Sequence, residues 1–190
     1  MAPRTEEQFE EIRNEKVALI MNAALEQFAH NGYDSTSISK IAKTAGISKG
    51  LMYNYFPSKE ALLAKIMMSG MDSFLHFLQV EDMEHIQKEE LIRFIDGNLD
   101  SLKQNTDYYK LYFSLVFQPK VFKILGGDFM IIFEQLIEKF VMYFSQNGEK
   151  NPYVKARFIL AVFDGIGIHY ISDVEHFPLD DVRELIIEML

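Results

Sequence analysis

The stretch I-S-K-G-L-M-Y-N-Y-F-P-S-K, residues 47–59, combines a short helical pattern with an unusual concentration of polar side chains. Ser48 is suited to cap a helix that Pro57 prevents from continuing, and Ser58 is suited to cap the next helix. At 100° per residue, Phe56 points within about 40° of Met52, while Asn54 points almost directly away. The stretch therefore predicts a short helix with an apolar inner face and a polar outer face.

Two further helices are predicted upstream of this stretch. The first has apolar residues at steps of three and four, and Asn31-Gly32 stops it. Thr36 or Ser37 is suited to cap the second, whose shorter apolar stripe ends at Gly46, a residue suited to a left-handed cap. The first stripe consists of Val17, Ile20, Met21, Ala24, Leu25 and Phe28, and the second of Ile38, Ile41, Ala42 and Ala45.

Helical spacing also dominates the chain beyond residue 63. No alternating strand pattern and no internal repeat stands out, so the predicted fold class is all-α. The long helical segments are separated by turn-forming residues at Asn105-Thr106, Pro119, Gly126-Gly127, Asn147-Gly148, Pro152 and Pro178.

The outer face of the 49–55 helix suits a DNA major groove. A short helix, a glycine-containing turn and a second short helix with a polar outer face is the arrangement that reads base edges there. Gly50 allows close approach of the backbone, Asn54 can bond a base edge and Leu51 can touch a thymine methyl. The hydroxyls of Tyr53 and Tyr55 can reach bases or phosphates. The alternative is that three short helices simply pack and leave an ordinary solvated face.

Charge separates the two ends of the chain. The formal net charge is −9, which argues against a nonspecific nucleic-acid binder. Residues 1–63 hold seven basic and eight acidic groups, however, so most of the acid lies in the remainder. Lys49 and Lys59 place positive charge beside the polar face, and the amino end of the helix after Ser58 suits a phosphate.

The run G-Y-D-S-T-S-I-S-K-I-A-K-T-A-G-I-S-K-G-L-M-Y-N-Y-F-P-S-K-E-A-L-L, residues 32–63, resembles the DNA-binding segment of the TetR family of transcriptional repressors. The resemblance implies base-region contacts from Lys49, Gly50, Tyr53 and Asn54, and phosphate contacts from Thr36, Ser37, Tyr55 and Lys59. Position 51, often Thr in the family, is Leu51 here, and position 54, often His, is Asn54. The operator sequence therefore does not follow from the resemblance.

The resemblance also implies a domain organisation and a mode of action. We expect a helix-turn-helix DNA-binding domain at residues 1–63 and a helical regulatory domain at residues 64–190 for ligand binding and dimerisation. A homodimer would bind a pseudo-palindromic double-stranded operator. Repression relieved by a small-molecule inducer is the family's usual mode.

Aromatic residues dominate the predicted regulatory domain and suggest an apolar or aromatic ligand. An aromatic stripe at helical spacing is more often core than ligand site, so both interpretations remain open. Because TetR-like regulatory domains usually enclose a ligand cavity, we interpret six residues as candidates for its wall: Tyr109, Tyr112, Phe113, Phe133, Asp164 and His169.

The last two predicted helices suit the dimer interface that the resemblance implies. Residues 158–171 are apolar on almost every side, whereas a lone surface helix would have a polar face. The final helix has an apolar stripe made of Val182, Leu185, Ile186 and Met189.

Other classes of protein fit less well. The chain has no cysteine, its five histidines lack ligand spacing, and no glycine-rich phosphate loop or catalytic pattern occurs. We therefore expect no enzyme activity, no cofactor and no metal. No apolar run is long enough for a membrane span, so we expect a cytoplasmic protein with no membrane partner. A small-molecule-binding or scaffold protein without DNA function is the alternative.

Overall fold

The computed structural model describes residues 5–79 and 85–190, and for residues 122, 126, 128 and 129 it describes the backbone alone. Throughout this part of the chain the regular structure is helical, which confirms the predicted all-α class. The helices are α1 (Glu6–Asn31), α2 (Ile38–Thr44), α3 (Lys49–Tyr55), α4 (Lys59–Leu75), α5 (Lys88–Gln104), α6 (Thr106–Val116), α7 (Pro119–Gln146), α8 (Pro152–Ser172) and α9 (Leu179–Glu188).

Side-chain caps start the short helices as predicted. Ser37 accepts a hydrogen bond from the Lys40 amide at 3.2 Å, and Ser48 accepts one from the Leu51 amide at 3.1 Å. Between these helices Gly46 has φ +65°, in the left-handed region that favours glycine. These local signals fix the turn between α2 and α3.

The first helix is longer than its apolar stripe predicts. α1 begins at Glu6, three turns ahead of Val17, and almost all of the added residues are exposed. Thr5 and Gln8 form a reciprocal capping box at its start, with Glu6 and Glu7 in the first turn. An exposed helical segment of this kind has no apolar periodicity, so the stripe could not reveal it.

The predicted breaks in the second half are confirmed with one exception. α6 starts at Thr106, α7 at Pro119 and α8 at Pro152, as the turn residues indicated. The predicted break at residues 126–127 is wrong, because α7 runs through both glycines. A glycine in a helix interior costs only about 1 kcal/mol relative to alanine, which the remaining residues of a 28-residue helix can offset.

The described chain divides into two compact units. Unit 1 comprises Met1–Ser69 and Leu111–Leu125, and unit 2 comprises Gly70–Lys110 and Gly126–Leu190. Unit 1 therefore combines α1 to α3 with a segment from much later in the sequence. The functional boundary placed after residue 63 stays a prediction. Among the described residues, no helix has the length and apolar character needed to span a membrane.

An aromatic cluster forms the centre of unit 2. The ring of Phe94 lies 4.9 Å from Phe74, 5.8 Å from Phe140 and 5.6 Å from Phe163, measured between centroids. Phe94 has no exposed surface, and its edge-on contacts have the geometry that aromatic pairs prefer. Many of the aromatic residues therefore belong to the core, which is one of the two interpretations that the sequence left open.

Two ion pairs join α5 to α9 at the surface of unit 2. The Arg183 guanidinium donates to both oxygens of Asp96 at 2.6 and 2.7 Å, and Lys103 lies 2.6 Å from Asp180. The bidentate geometry fixes the angle of the short α9 helix better than a single contact would.

Gly97 on α5 lies directly under the ring of Phe77, which follows the end of α4. A Cβ atom at residue 97 would overlap the Cγ and Cδ1 atoms of that ring. These atoms are at the base of the aromatic ring, so a small rotation of the side chain cannot relieve the overlap. Gly97 therefore sets how closely the α4 end packs on α5.

We expect Gly97→Ala to lower the free energy of unfolding by about 1–3 kcal/mol, since the added methyl overpacks this contact. The matched control is Gly127→Ala, because no described atom lies within 4 Å of a Cβ at Gly127 and the helix gains about 0.5–1 kcal/mol. Urea unfolding followed by circular dichroism measures both. Equal effects of the two substitutions would contradict the packing role of Gly97.

Candidate DNA-binding site

The α3 helix presents the two faces that the sequence predicts. Met52 is completely buried, whereas Leu51 is 38% and Tyr53 48% exposed. Lys49, Gly50 and Asn54 are exposed as well. Five of the seven residues of α3 are thus exposed, including Leu51 and Tyr53. Met52 is buried and Tyr55 is half-buried.

The turn at residues 33–36 connects α1 to α2 and is held by buried hydrogen bonds. The Thr36 hydroxyl donates to the carbonyl oxygens of Gln27 and Gly32 at 3.0 and 2.9 Å, and Thr36 is only 1% exposed. Tyr33, 2% exposed, packs its ring 5.1 Å from that of Phe28. This turn sets where α2, and with it α3, leaves the end of α1.

Lys59, at the start of α4, holds the same turn from the other side. Its ammonium donates to the carbonyl oxygens of Tyr33 and Thr36 at 2.9 and 3.0 Å, and to that of Asp34 at 3.4 Å. It also lies 4.3 Å above the centre of the Tyr33 ring, within the range of a cation–π interaction. An ammonium has three N–H donors, and here all three have carbonyl partners.

Two of the residues implied as phosphate contacts are already engaged within the protein, and their contact with DNA stays a prediction. The Thr36 side chain is buried, so it cannot reach a phosphate from this conformation. The Lys59 ammonium is already bonded to three carbonyl oxygens, and a phosphate would have to displace them. Both residues position the helices that carry the exposed face.

The hydroxyl of Tyr33 extends this network to Glu60. It donates to the Glu60 carboxylate at 3.1 Å. A main-chain amide and the Tyr33 hydroxyl both lower the pKa of Glu60, because they stabilise its charged form. Burial and the bond to Glu60 together raise the pKa of Tyr33 above its ordinary value. Tyr33 is therefore a neutral donor at physiological pH.

A segment from the middle of the sequence also binds this turn. Gln118, between α6 and α7, accepts a hydrogen bond from the Tyr33 amide at 3.0 Å and donates to the Phe28 carbonyl at 3.3 Å. Lys120 forms an ion pair with Asp34. The sequence analysis missed these residues, because a lone glutamine before a proline has no motif of its own.

Ser37 and Tyr55 complete the set of implied phosphate contacts. Ser37 is exposed, although its hydroxyl oxygen already accepts the Lys40 amide as the cap of α2. Tyr55 is half-buried. Phosphate contacts by Ser37 and Tyr55 stay predictions, as do the base contacts assigned to α3.

A surface groove lies between α3 and the exposed first turns of α1. Its volume is about 430 Å³. Both helices contribute side chains to it, and the lining residues are Phe9, Glu10, Ile12, Arg13, Leu51, Asn54 and Tyr55. The predicted base-reading residue Asn54 thus shares a groove with a helix that the motif does not include.

Comparison with known proteins agrees with this geometry. Residues 20–66 match the sequence model of the bacterial regulatory proteins of the tetR family. The matched range contains α2, α3, both caps and Lys59. The helix-turn-helix segment of this chain is therefore of the tetR-family type.

Individual relatives match different shares of this chain. The HTH-type transcriptional regulator YuxN of Bacillus subtilis is 57% identical over 53 residues, which are 28% of this chain and 18% of YuxN. The fatty acid metabolism regulator protein of Bacillus subtilis is 34% identical over 80 residues, covering 42% of this chain and 41% of the relative. The chain thus matches less than half the length of either relative.

A solved structure extends the likeness to the whole fold. The crystal structure of the transcriptional regulator FadR from Bacillus subtilis, in complex with stearoyl-CoA, superposes with a TM-score of 0.69. The superposition covers 91% of this chain and 98% of FadR at 22% sequence identity. This likeness concerns the fold alone.

The six candidate ligand residues do not form one cluster within a single unit. Tyr112 and Phe113 belong to unit 1, where the Tyr112 hydroxyl donates to the Met67 carbonyl at 3.1 Å. Tyr109 belongs to unit 2, where its hydroxyl lies 3.0 Å from that of Ser101. Their ligand-binding role stays a prediction.

The other three candidates lie on α7 and α8 of unit 2. Phe133 is half-buried, and the Arg157 guanidinium lies 5.6 Å above its ring. Asp164 and His169 are exposed on α8, and the ligand-binding role of all three residues stays a prediction. Although Asp164 is exposed, nearby protein atoms reduce the solvation of its carboxylate and raise its pKa to about 6, against the opposing effect of Arg157. The ring of His169 stacks on Phe177 at 6.3 Å.

The sequence analysis missed a buried amide in unit 2. Asn98 is 5% exposed, and its Nδ2 donates to the carbonyls of Phe74 and Phe94 at 3.0 and 2.9 Å. These two carbonyls fix the amide orientation and leave the buried Oδ1 without a donor among the described residues. A usable signal was present, since Asn98 occupies a position within the apolar stripe of α5.

We expect Lys59→Ala to lower the free energy of unfolding by about 1–3 kcal/mol, because the bonds to the 33–36 turn are lost. Lys40→Ala removes the same charge from an exposed side chain and serves as the matched control. Urea unfolding measures both variants. A Lys59 variant as stable as the Lys40 variant would return Lys59 to the role of a phosphate ligand.

Proposed function

We propose that this protein is a ligand-responsive transcriptional repressor that binds a pseudo-palindromic operator as a homodimer in the cytoplasm. The exposed polar face of α3, held by buried contacts of the 33–36 turn, is the observation that supports it most directly. The match of residues 20–66 to the family model supports the same reading. The alternative of a small-molecule-binding or scaffold protein without DNA function leaves this face and match unexplained.

In this proposal α3 lies in the major groove and reads base edges. Asn54 bonds a base, Leu51 contacts a thymine methyl, and Gly50 lets the backbone approach. Lys49, Tyr53 and Tyr55 add contacts to bases and phosphates, with Ser37 at the start of α2. The groove is about as wide as a helix with its side chains, so a helix of this length fits between the phosphate strands.

The proposed dimer forms through α8 and α9, the two helices implied by the resemblance. Five large hydrophobic side chains on α8, on α9 or directly after α9 are at least 40% exposed: Tyr153, Val154, Phe158, Leu185 and Met189. Single exposed apolar residues are ordinary, but five on two packed helices and the residue after them support an interaction surface. Two copies related by a two-fold axis place two α3 helices on one face of the DNA.

The proposed inducer is an apolar compound held by unit 2. The aromatic core of unit 2 supplies the apolar contacts, and the unsatisfied Oδ1 of Asn98 supplies an acceptor for a donor on the ligand. The FadR neighbour was crystallised with stearoyl-CoA, which makes a long acyl chain the first class of compound to test. Tyr109 and Phe133 remain proposed parts of the ligand site.

The proposed coupling to DNA binding passes through the 111–125 segment. The segment is bonded to the 33–36 turn by Gln118 and Lys120, and the chain continues from it into α7 residues of unit 2. A ligand weakens DNA binding only if it prefers a conformation in which the two α3 helices are wrongly placed. Movement of this segment would change the turn that positions α3.

We expect the wild-type chain to select a two-fold symmetric operator from random duplex DNA. Asn54→Ala should weaken binding to that operator by about 1–3 kcal/mol and relax one base pair per half-site, with binding to a scrambled duplex nearly unchanged. Asn22→Ala, an exposed asparagine of α1, is the matched control. Fluorescence anisotropy with both duplexes measures the effect. Failure of the wild-type chain to bind any duplex would refute the proposed function.

We expect Gln118→Leu to expose the Tyr33 amide to hydrogen exchange at least about tenfold faster, because its acceptor is lost and local opening becomes easier. Operator affinity should fall as well, although residue 118 is not on α3. The control is Gln135→Leu, an exposed glutamine of α7. Hydrogen exchange measured by mass spectrometry compares the two variants with the wild-type chain. Unchanged protection of residues 33–36 in the Gln118→Leu variant would contradict the proposed coupling through the 111–125 segment.

A further inference from the structure

The first turns of α1 carry charged side chains into the groove beside the DNA-reading helix. Arg13 and Glu10 both line the groove that Leu51, Asn54 and Tyr55 form on α3. Arg13 is exposed, and no ion pair of Arg13 occurs among the described residues. The two opposite charges therefore face the same solvent-filled space next to Asn54.

We propose that this groove receives a phosphate strand of the operator, with Arg13 as a phosphate ligand outside the helix-turn-helix. The inference rests on the proposed function and extends the DNA-binding surface to the first turns of α1, which precede the family match at residues 20–66.

The geometry of B-DNA supplies the reason. A helix with its side chains nearly fills the major groove, so the phosphate strands run along both edges of that helix. The α1 turns lie along one edge of α3, on the side of Leu51, Asn54 and Tyr55. A cation that projects there meets phosphate oxygens rather than base edges. Arginine suits this position because its planar guanidinium binds a phosphate through two hydrogen bonds.

The distribution of charge around α1 favours the same occupant. At 100° per residue, Arg13 and Lys16 lie on the side of the helix that carries Phe9, whereas Glu7, Glu11 and Glu15 point away from it. Glu6 and Glu10 lie at the margin of that side, and only Glu10 lines the groove. Arg13 therefore attracts the phosphate strand, and Glu10 weakens that attraction.

The two groove residues should consequently have effects of opposite sign. Arg13→Ala should weaken operator binding roughly tenfold near 0.1 M salt and reduce the slope of log affinity against log salt by about 0.9 per protomer. Glu10→Gln should strengthen binding about two- to fivefold at low salt, since a like charge is removed from beside the strand.

The chain offers a matched control for each change. Glu11→Gln removes the same charge from the opposite side of the same helix, and Arg93→Ala removes an exposed arginine from α5. The probe is a fluorescein-labelled duplex carrying the operator that the wild-type chain selects. Anisotropy titrations at several salt concentrations measure affinity and slope for wild type and all four variants, and circular dichroism verifies that each is folded.

The outcomes separate this inference from the proposed function. A reduced slope for Arg13→Ala, together with tighter binding by Glu10→Gln than by Glu11→Gln, supports the phosphate contact. If the wild-type chain binds but Arg13→Ala keeps the wild-type slope, the inference is wrong and the proposed function stands. Equal effects of Glu10→Gln and Glu11→Gln would mean that α1 acts only through its net charge, and this result would also overturn the inference. A wild-type chain that binds no duplex would refute the proposed function itself.

Discussion

The ammonium of Lys59 binds three main-chain carbonyl groups of the 33–36 turn, and the placement of the exposed α3 face depends on that contact. A turn between two helices leaves carbonyl oxygens without helical partners, and a buried carbonyl without a donor is costly. One charged side chain satisfies several of them at once and fixes the start of α4 against the end of α1. The single O–H of Thr36 is shared between the carbonyl oxygens of Gln27 and Gly32 and ties the turn to the end of α1. Lys59 and Thr36, which resemble DNA ligands in the sequence, thus hold the turn that supports the exposed face of α3 in this structure.

The sequence predicted most of the first three helices because local chemistry decides them. Ser37 and Ser48 cap as expected, Gly46 takes the left-handed conformation, and Met52 is buried. Each of these outcomes depends on neighbours within four residues. The role of Lys59 could not be predicted in this way, because its three acceptors lie more than twenty residues earlier in the chain. A lysine can be an exposed phosphate ligand or can bond main-chain carbonyls within the protein, and the residue type alone does not distinguish these two roles.

In unit 2 the sequence predicted the helices better than it predicted the roles of individual side chains. Helical spacing predicted α5 to α9 closely, apart from the continuous α7. Which of its side chains bind a ligand did not follow, because Phe94 in the core and Phe133 at its margin have the same sequence signature. Asp164 and His169 were chosen as polar groups within an apolar run, yet both are exposed on α8. The more informative polar residue was Asn98, within the apolar stripe of α5. The Nδ2 of Asn98 makes two structural bonds, whereas its buried Oδ1 has no donor among the described residues.

The bonds from Gln118 and Lys120 to residues 28–34 have a consequence for exchanging segments between proteins of this fold. The compact unit that carries α3 is assembled from two stretches separated by forty-one residues that belong to the other unit. A chimera that receives only the first stretch would place a foreign residue opposite the Tyr33 amide and leave Asp34 without its lysine. Transferring the exposed face of α3 to another protein of this fold therefore requires residues 111–125 to be transferred with it. Over evolutionary time, Tyr33 and Gln118 should change together rather than separately.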